Sequence, residues 1–461
     1  MRLVFGEGTL VLRDYQDAPL PSPFVWDTRV DQYRAQAHFY RAITDFFGSH
    51  SVPFKDVARC DQSIQLTLST SPPLHPHQEE SLQAWTQHGM RGVVVLPTGA
   101  GKSLVALHAM QQAGRSALVI APTIDLMNQW YELLTQQFAQ PVGLLGGGYH
   151  ELADLTVSTY DSAYMHMERY GNRFGLLVYD EVHHLPGPMY SHSAEMSIAP
   201  YRLGLTATVE RADGRHVLLD SLVGPIAYEK GIRALSGAYL AAYHTERRRV
   251  AMVAEERTAY EAAQQTYRTF LDEKNIRLGT ANGWRRFVQL SSTSSAGRRA
   301  MLAYRQHRHI ALGTASKLRV LEEILKAHPR DRVLVFTNDN ETVYQISRTF
   351  LIPAITHRTR TKERKALLEG FNQGAFLALV TSKVLNEGVN IPEANVAVVL
   401  SGSGTIREHV QRLGRILRKR QGKRAVLYEV VSADTVEDRI SERRRRHEAY
   451  ETGTDHSEPT H

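Results

Sequence analysis

A single cysteine, Cys60, stands among 461 residues, so the chain can form neither an internal disulfide nor a cysteine-rich zinc module. Such usage suits a reducing compartment. Long apolar runs are missing too, and no segment approaches the ~20 apolar residues that span a bilayer. The start, "MRLVFGEGTLVLRDYQ", lacks the apolar stretch of a signal peptide. A soluble, intracellular, cytoplasmic protein with no membrane partner is therefore expected. Low-complexity tracts are also absent, and 42% hydrophobic with 22% charged residues is a globular composition. At roughly 150 residues per domain, this length accommodates about three domains.

Acidic residues are the minority, 48 against 55 Lys and Arg, for a net charge of +7. The isoelectric point near 9.3 favours a polyanionic partner. The excess is concentrated between 231 and 320, where sixteen Lys and Arg face six Asp and Glu.

Short β-branched runs alternate with amphipathic stretches over two long regions. In the first, "GVVVL", "ALVIA", "DLTVS", "GLLVYD" and "YRLGLTAT" are bounded by turn residues; the second has "RVLVF", "FLALVT", "NVAVVLS" and "RAVLYEVV". That pattern predicts two α/β domains, each a parallel sheet with helices on both faces, at 71–230 and 321–452. The basic stretch 231–320 reads as mainly helical. A small α+β unit is expected at 1–70, and a polar, disordered tail at 453–461.

The stretch "LPTGAGKS" ends a strand and opens a helix at Ser103. Thr98 lies in the turn, and Gly99 and Gly101 let backbone N–H groups converge on phosphate oxygens. Lys102 would reach the β- and γ-phosphates, and the Ser103 hydroxyl can ligate Mg²⁺. A kinase, a transporter subunit and a nucleic-acid motor can all begin with this loop. Downstream, "LLVYDEVHHLP" is an apolar strand ending in two carboxylates. Phosphoryl transfer needs one carboxylate for the metal, Asp180, and one for the attacking water, Glu181. His183, His184 and the histidines of "LHPHQ" have no further ligand at zinc spacing. In "EHVQRLGRILRKR", Gln411, Arg415 and Arg418 share one helix face, and two guanidiniums there suit a γ-phosphate in the transition state.

In order, "LHPHQ", "PTGAGKS", "APTIDLMNQW", "VSTYDS", "DEVH", "LTATVE", "VLVFT", "VTSKVLNEGVNIP" and "QRLGRILR" resemble the motifs of superfamily 2 helicases. The segments "DEVHHLP", "RADGRH", "FLIPAITHRT" and "SGSGTIREHVQRLGRILR" are similar to the XPB branch in its compact archaeal or bacterial form. The "YRAQAHFYR" of the N-terminal unit resembles its damage-recognition-like domain.

The resemblance implies two RecA-like domains and a thumb-like helical insertion that grips DNA. It implies ATP with Mg²⁺ between those domains, and 3′-to-5′ movement on DNA in repair or promoter opening. Gln78 would contact adenine, Glu387 and Gly388 would line the domain cleft, and Arg415 and Arg418 would act as arginine fingers. Thr206 and Thr208 would link hydrolysis to domain movement. Thr123, Thr159 and Thr381 would touch the DNA backbone, with Arg211 and Asp213 also at the DNA. A monomer is expected, with DNA and a partner nuclease as associates. Trp284, beside Arg285 and Arg286, is either a base-stacking platform or a core residue.

Two positions depart from the family pattern. Its Arg-Glu-Asp triplet, associated with strand separation, is here Arg211-Ala212-Asp213, which points to weakened unwinding with hydrolysis retained. Asn390 stands where the family has Asp. A duplex translocase that does not unwind, an RNA motor and a nuclease-recruiting platform are the alternatives.

Overall fold

The computed structural model describes residues 1–15, 17–70, 72–211, 213–278, 280–382, 394–401, 424–445 and 454–456. The chain forms two compact units, the first built on Met1–Leu235 and the second on the chain from Ser236 onward.

Two sheets make the first unit. The smaller has five strands in the order Val25–Asp27, Gln32–Gln36, Thr9–Arg13, Arg2–Gly6 and Lys55–Asp56. The helix Tyr40–Ser49 covers it, closing a core of Leu3, Leu10, Leu12, Ile43 and Phe47 that also takes in Ile198. Hydrogen bonds fasten this module to the larger α/β layer. The Cys60 N–H donates to the Asn172 carbonyl at 3.0 Å, and Asn172 Nδ2 donates to the Ala58 carbonyl at 2.9 Å. Arg41 donates to the Gly89 carbonyl at 2.7 Å.

The larger sheet runs Ile226–Glu229, Arg91–Val95, Tyr201–Thr206, Leu176–Asp180, Ala117–Ala121, Leu155–Thr159, Val142–Gly146 and Tyr149–Glu151. All pairs are parallel except the last hairpin. Helices on both faces require strands that are apolar on both sides, which is why "VVV", "ALVIA" and "LLVY" have almost no polar alternation. This order sets the ends of Arg91–Val95, Tyr201–Thr206 and Leu176–Asp180 side by side. In open α/β sheets, ligands bind beyond such carboxyl ends.

The second unit holds a parallel sheet in the order Ala354–Ile355, Ala378–Thr381, Val333–Phe336, Val396–Val399, Arg424–Ser432, Ala242–Val250 and Thr454–His456. Three of its helices, Ala254–Glu273, Ala281–Thr293 and Ser295–Gly313, pack around Tyr267, Phe270, Phe287 and Ala300.

Two strands here differ from the sequence expectation. Ala242–Val250, "AYHTERRRV", lies inside the stretch expected to be helical, yet pairs along its whole length with Arg424–Ser432. Its basic residues conceal the strand. Arg247 and Arg249, on one face, both pair with Asp438, and Arg248 pairs with Glu246. These three arginines were counted toward the phosphate-contacting charge; the structure sets them in ion pairs within the second unit. Within the expected tail, Thr454–His456 adds to the edge of Ala242–Val250, occupying backbone groups that an edge strand leaves open.

His307 lies buried among the helices, stacked on Tyr260 at 4.2 Å. Burial, with Arg268 and Arg308 adding repulsion, lowers its pKa from 6.5 to about 4. The unfolded chain takes up this proton as pH falls through about 6.5, whereas the folded chain resists until about 4. The stability is thus present above about 6.5 and lost as pH falls toward 4. Moving from pH 7 to 5 should cost the wild type about 2 kcal/mol through this group. Urea unfolding of His307→Phe should show that much less acid sensitivity; equal sensitivity would remove the assignment.

Candidate functional site

The strand Arg91–Val95 runs into the turn Leu96–Ala100, and the helix Lys102–Ala113 follows. Gly99 and Gly101 have φ of 88° and 83°, the left-handed region that bends the backbone around an anion. A Cβ on Gly101 would collide with Gln78 Nε2 and displace the end of that side chain. Lys102 Nζ donates to the Leu96 carbonyl at 3.0 Å, folded back over the loop. Ser103 is exposed in the first helical turn. The Thr98 hydroxyl is buried and makes no hydrogen bond among the described residues.

Gln78, the expected adenine contact, is buried against this loop. Its Nε2 donates to the Ala100 carbonyl at 2.9 Å, and its Oε1 accepts from the His75 N–H at 2.9 Å. His77 Nε2 meets the same carbonyl at 3.0 Å. Both side chains therefore brace the loop backbone.

Two strands away, Asp180 ends Leu176–Asp180. Its Oδ1 accepts from the Glu181 N–H at 3.0 Å and its Oδ2 from Trp130 Nε1–H at 2.8 Å. Burial raises the Asp180 pKa, opposed by the Trp130 hydrogen bond and the charge of Lys102. Glu181 has φ 48° and ψ 53°, a left-handed conformation costly for a side chain with a Cβ. That turn swings the second carboxylate clear of the strand. His183 Nδ1 lies 3.4 Å from the Glu181 carboxylate and 3.0 Å from Thr206 Oγ1. Thr206 Oγ1 in turn donates to the Thr208 carbonyl at 2.7 Å. A polar chain thus runs from the second carboxylate to the neighbouring strand end.

Arg211 and Asp213 form a two-pronged pair at 2.9 and 2.7 Å. The pairing raises the Arg211 pKa and holds Asp213 well below the usual carboxylate range. Arg211 also donates to the His183 carbonyl at 2.5 Å, tying the triplet to the segment after Glu181. Thr123 and Thr159 cap the helices Ile124–Gln137 and Tyr160–Tyr170, each accepting a backbone N–H at 3.2 Å. In the second unit, Thr381 is fully buried and donates to the Ser382 carbonyl at 3.0 Å. Trp284 is 42% exposed and packs against Phe287 and Tyr304. Ala212, Glu387, Gly388, Asn390, Gln411, Arg415 and Arg418 lie outside the described residues.

Sequence reasoning missed Trp130 and Tyr160. The one signal was the end of "APTIDLMNQW", a tryptophan placed two turns along a helix beside a motif.

Among the described residues, no three His, Cys, Asp or Glu side chains converge to hold a metal. One carboxylate, one serine hydroxyl and a phosphate-turn geometry instead fit Mg²⁺. That ion keeps several waters and binds through one or two protein ligands plus substrate phosphates. No described helix is long and apolar enough to cross a membrane.

Comparison with known proteins bears on both units. A family model for the xeroderma pigmentosum group B helicase damage recognition domain matches residues 3–58. A model for the type III restriction enzyme res subunit matches 71–211, and one for the helicase conserved C-terminal domain matches 316–420. The chain is 40% identical to the DNA 3'-5' translocase XPB2 of Sulfurisphaera tokodaii, over 91% of this chain and 95% of that protein. It is 34% identical to the DNA 3'-5' helicase XPB of Mycobacterium tuberculosis, over 78% of this chain and 60% of that protein. The fold is similar to the Hef helicase domain of Pyrococcus furiosus, with a TM-score of 0.55 at 18% identity, covering 80% of this chain and 98% of that one. With the damage recognition domain, both helicase models and a relative similar over nearly its whole length, the chain belongs to the XPB family of helicases.

Proposed function

We propose that this protein is an ATP-driven DNA motor that moves 3′ to 5′ along a strand and serves DNA repair or duplex opening. The observation that carries the reading is the alignment of three neighbouring strand ends. They bear the phosphate turn with Lys102, the Thr206–Thr208 segment, and Asp180 with Glu181.

Lys102 swings from the Leu96 carbonyl to the β- and γ-phosphates, and the N–H groups of the turn and of the helix opening bind the remaining oxygens. The orphaned Thr98 hydroxyl gains a phosphate acceptor. Ser103 and Asp180 would hold Mg²⁺, which supplies charge neutralisation at the phosphate oxygens. Glu181 orients the attacking water and accepts its proton. Loss of the γ-phosphate alters the load on Glu181, and His183 passes that change to Thr206 and, through its carbonyl, to Arg211. Arg415 and Arg418 are assigned to the transferring phosphoryl group from their motif. Gln78 reports base occupancy by bracing Ala100.

DNA is assigned to the helix ends at Thr123 and Thr159 from their motifs, helix N-termini being suited to phosphates. Basic residues such as Arg285, Arg286, Arg298 and Arg299, all exposed, add contacts that do not read sequence. The working unit is taken as a monomer, because one chain supplies both α/β domains, with a nuclease as the partner that uses the exposed strand.

A second reading has a specific observation behind it. Arg211 and Asp213 satisfy each other, and the intervening residue is Ala212 where the family has a carboxylate. Movement along duplex without strand separation follows from that. The two readings part in one assay pair. ATP-dependent removal of a triplex-forming oligonucleotide is expected from both; separation of a forked duplex is expected from the helicase alone. Failure of both would end the motor reading.

A further inference from the structure

The helices Ala254–Glu273, Ala281–Thr293 and Ser295–Gly313 present exposed arginines, Arg285, Arg286, Arg298 and Arg299 among them. Where these helices meet the sheet of the second unit, a small apolar cluster of Met252, Tyr260 and Ala311 is ringed by hydrogen bonds. Ser432, the last residue of the strand Arg424–Ser432, donates its hydroxyl to the Ala311 carbonyl at 2.6 Å. Arg257 donates to the Ala433 carbonyl at 3.1 Å, and the Val436 N–H donates to the Tyr260 hydroxyl at 3.2 Å. Glu256 accepts the Ala315 N–H at 3.0 Å and the Thr314 hydroxyl, bracing the start of the first helix against the chain that leaves the third.

At the centre stands a buried ion pair. Lys317, in the first turn of the helix Ala315–Ala327, and Glu437, in the first turn of Val436–Arg445, are each 1% exposed. Lys317 Nζ lies 2.5 Å from the Glu437 carboxylate, and donates to the Leu400 carbonyl at 2.5 Å and the Leu312 carbonyl at 3.3 Å. The same carboxylate accepts the Ser432 N–H at 3.0 Å. One ammonium thus joins the last turn of the third basic helix, the end of the strand Val396–Val399 and a helix 120 residues further on.

The carbonyls of Ala311 and Leu312 sit in a last helical turn, where no donor of the same helix reaches them. Ser432 and Lys317 supply the donors, and the ammonium also faces the negative end of the helix dipole. Stability alone does not call for a charge here, since apolar residues of similar volume replace a buried ion pair at little cost. What the pair adds is direction. An ammonium has three donors, and three acceptors from separate elements fix one orientation of the third helix over the strand ends. An apolar contact is non-directional and would let the helix slide.

We propose that Lys317, with Glu437, is a positioning residue for movement along DNA: it locks the basic helices in one orientation on the second sheet. DNA held by their arginines is then carried with that sheet. Without the lock the helices yield under load, and ATP is hydrolysed with little transport. This rests on the motor reading above and names a residue on which its stroke depends. Lys317 is buried and acts only through the helices it holds.

The double variant Lys317→Met/Glu437→Gln removes both charges, conserves chain length and leaves an acceptor for the Ser432 N–H. Its ATP turnover with oligothymidylate should stay close to the wild-type rate. The ATP hydrolysed per triplex-forming oligonucleotide removed should rise by about 10-fold or more, as expected when a working part is misplaced by an ångström or so. A ratio equal to the wild type's would overturn the proposal, whether or not turnover itself falls. A wild type that hydrolyses ATP but removes no oligonucleotide would end the motor reading, and the lock is then judged by distances. Cys60 is the single cysteine, so Cys60→Ser gives a background for spin labels at Gln289→Cys and Lys362→Cys, two exposed positions of the second unit. With Lys317 and Glu437 in place, the label pair should give one narrow distance distribution that neither adenylyl imidodiphosphate nor oligothymidylate shifts. In the double variant it should broaden. A broad or ligand-dependent distribution with the ion pair intact would overturn the proposal, and that measurement holds even where the double variant does not fold.

Discussion

Lys102→Ala lowers ATP turnover by about 100- to 1,000-fold, the cost of removing one preorganised donor from a developing phosphate charge. The fold should survive. Lys102 opens its helix, and the folded-back hydrogen bond to the Leu96 carbonyl is worth about 1 kcal/mol. The backbone cradle at Gly99 and Gly101 also remains, so nucleotide binding weakens less than turnover. Steady-state hydrolysis alongside equilibrium ADP binding separates the two. Turnover within a few-fold of the wild type would remove Lys102 from the site.

The second large effect is on stability. Arg202 is fully buried, and its guanidinium meets four carbonyls: Ala199 at 3.3 Å, Ala194 at 3.1 Å, Ser197 at 2.7 Å, and Leu222. Burial and the nearby Arg91 lower its pKa to about 9, so it stays charged at neutral pH. The charge is tolerated because every acceptor around it is a carbonyl dipole pointed inward. Arg202 also sits near the start of the strand that ends at Thr206, with its own carbonyl accepting the Trp85 indole N–H at 2.9 Å. Arg202→Ala leaves a cavity and takes the guanidinium donors from these carbonyls, of which Ala194 keeps the Ser197 N–H at 3.3 Å, for an expected loss of about 4 kcal/mol. Arg202→Lys, a point charge lacking the planar fork, should recover only part of that. Urea denaturation measures both. A loss below about 1 kcal/mol for the alanine variant would show that the carbonyls find other partners.

What the sequence disclosed follows from the range of the forces involved. The phosphate turn and the strand before Asp180 are local patterns, written in glycine spacing and apolar runs within about ten residues. The N-terminal module and both parallel sheets follow from similar local signals. Ala242–Val250 was illegible because its arginines look solvated until Asp438 folds against them, 191 residues away for Arg247. The Trp130–Asp180 bond joins residues 50 apart, and a tryptophan at helical spacing looks the same whether its N–H is used or not. Threonine roles were blurred for another reason. A cap such as Thr123 and a buried hydroxyl such as Thr381 have the same side chain, and only the fold separates them. Arg211 and Asp213 likewise read as free charges until the turn that joins them is formed.

The most direct test of the account is displacement of a labelled strand from a forked duplex with a 3′ single-stranded tail, run with the wild type and with Lys102→Ala. The account predicts ATP-dependent displacement by the wild type, none by the variant, and none from the corresponding fork that carries only a 5′ tail. Displacement without ATP, equal displacement by Lys102→Ala, or preference for the 5′ tail would contradict it.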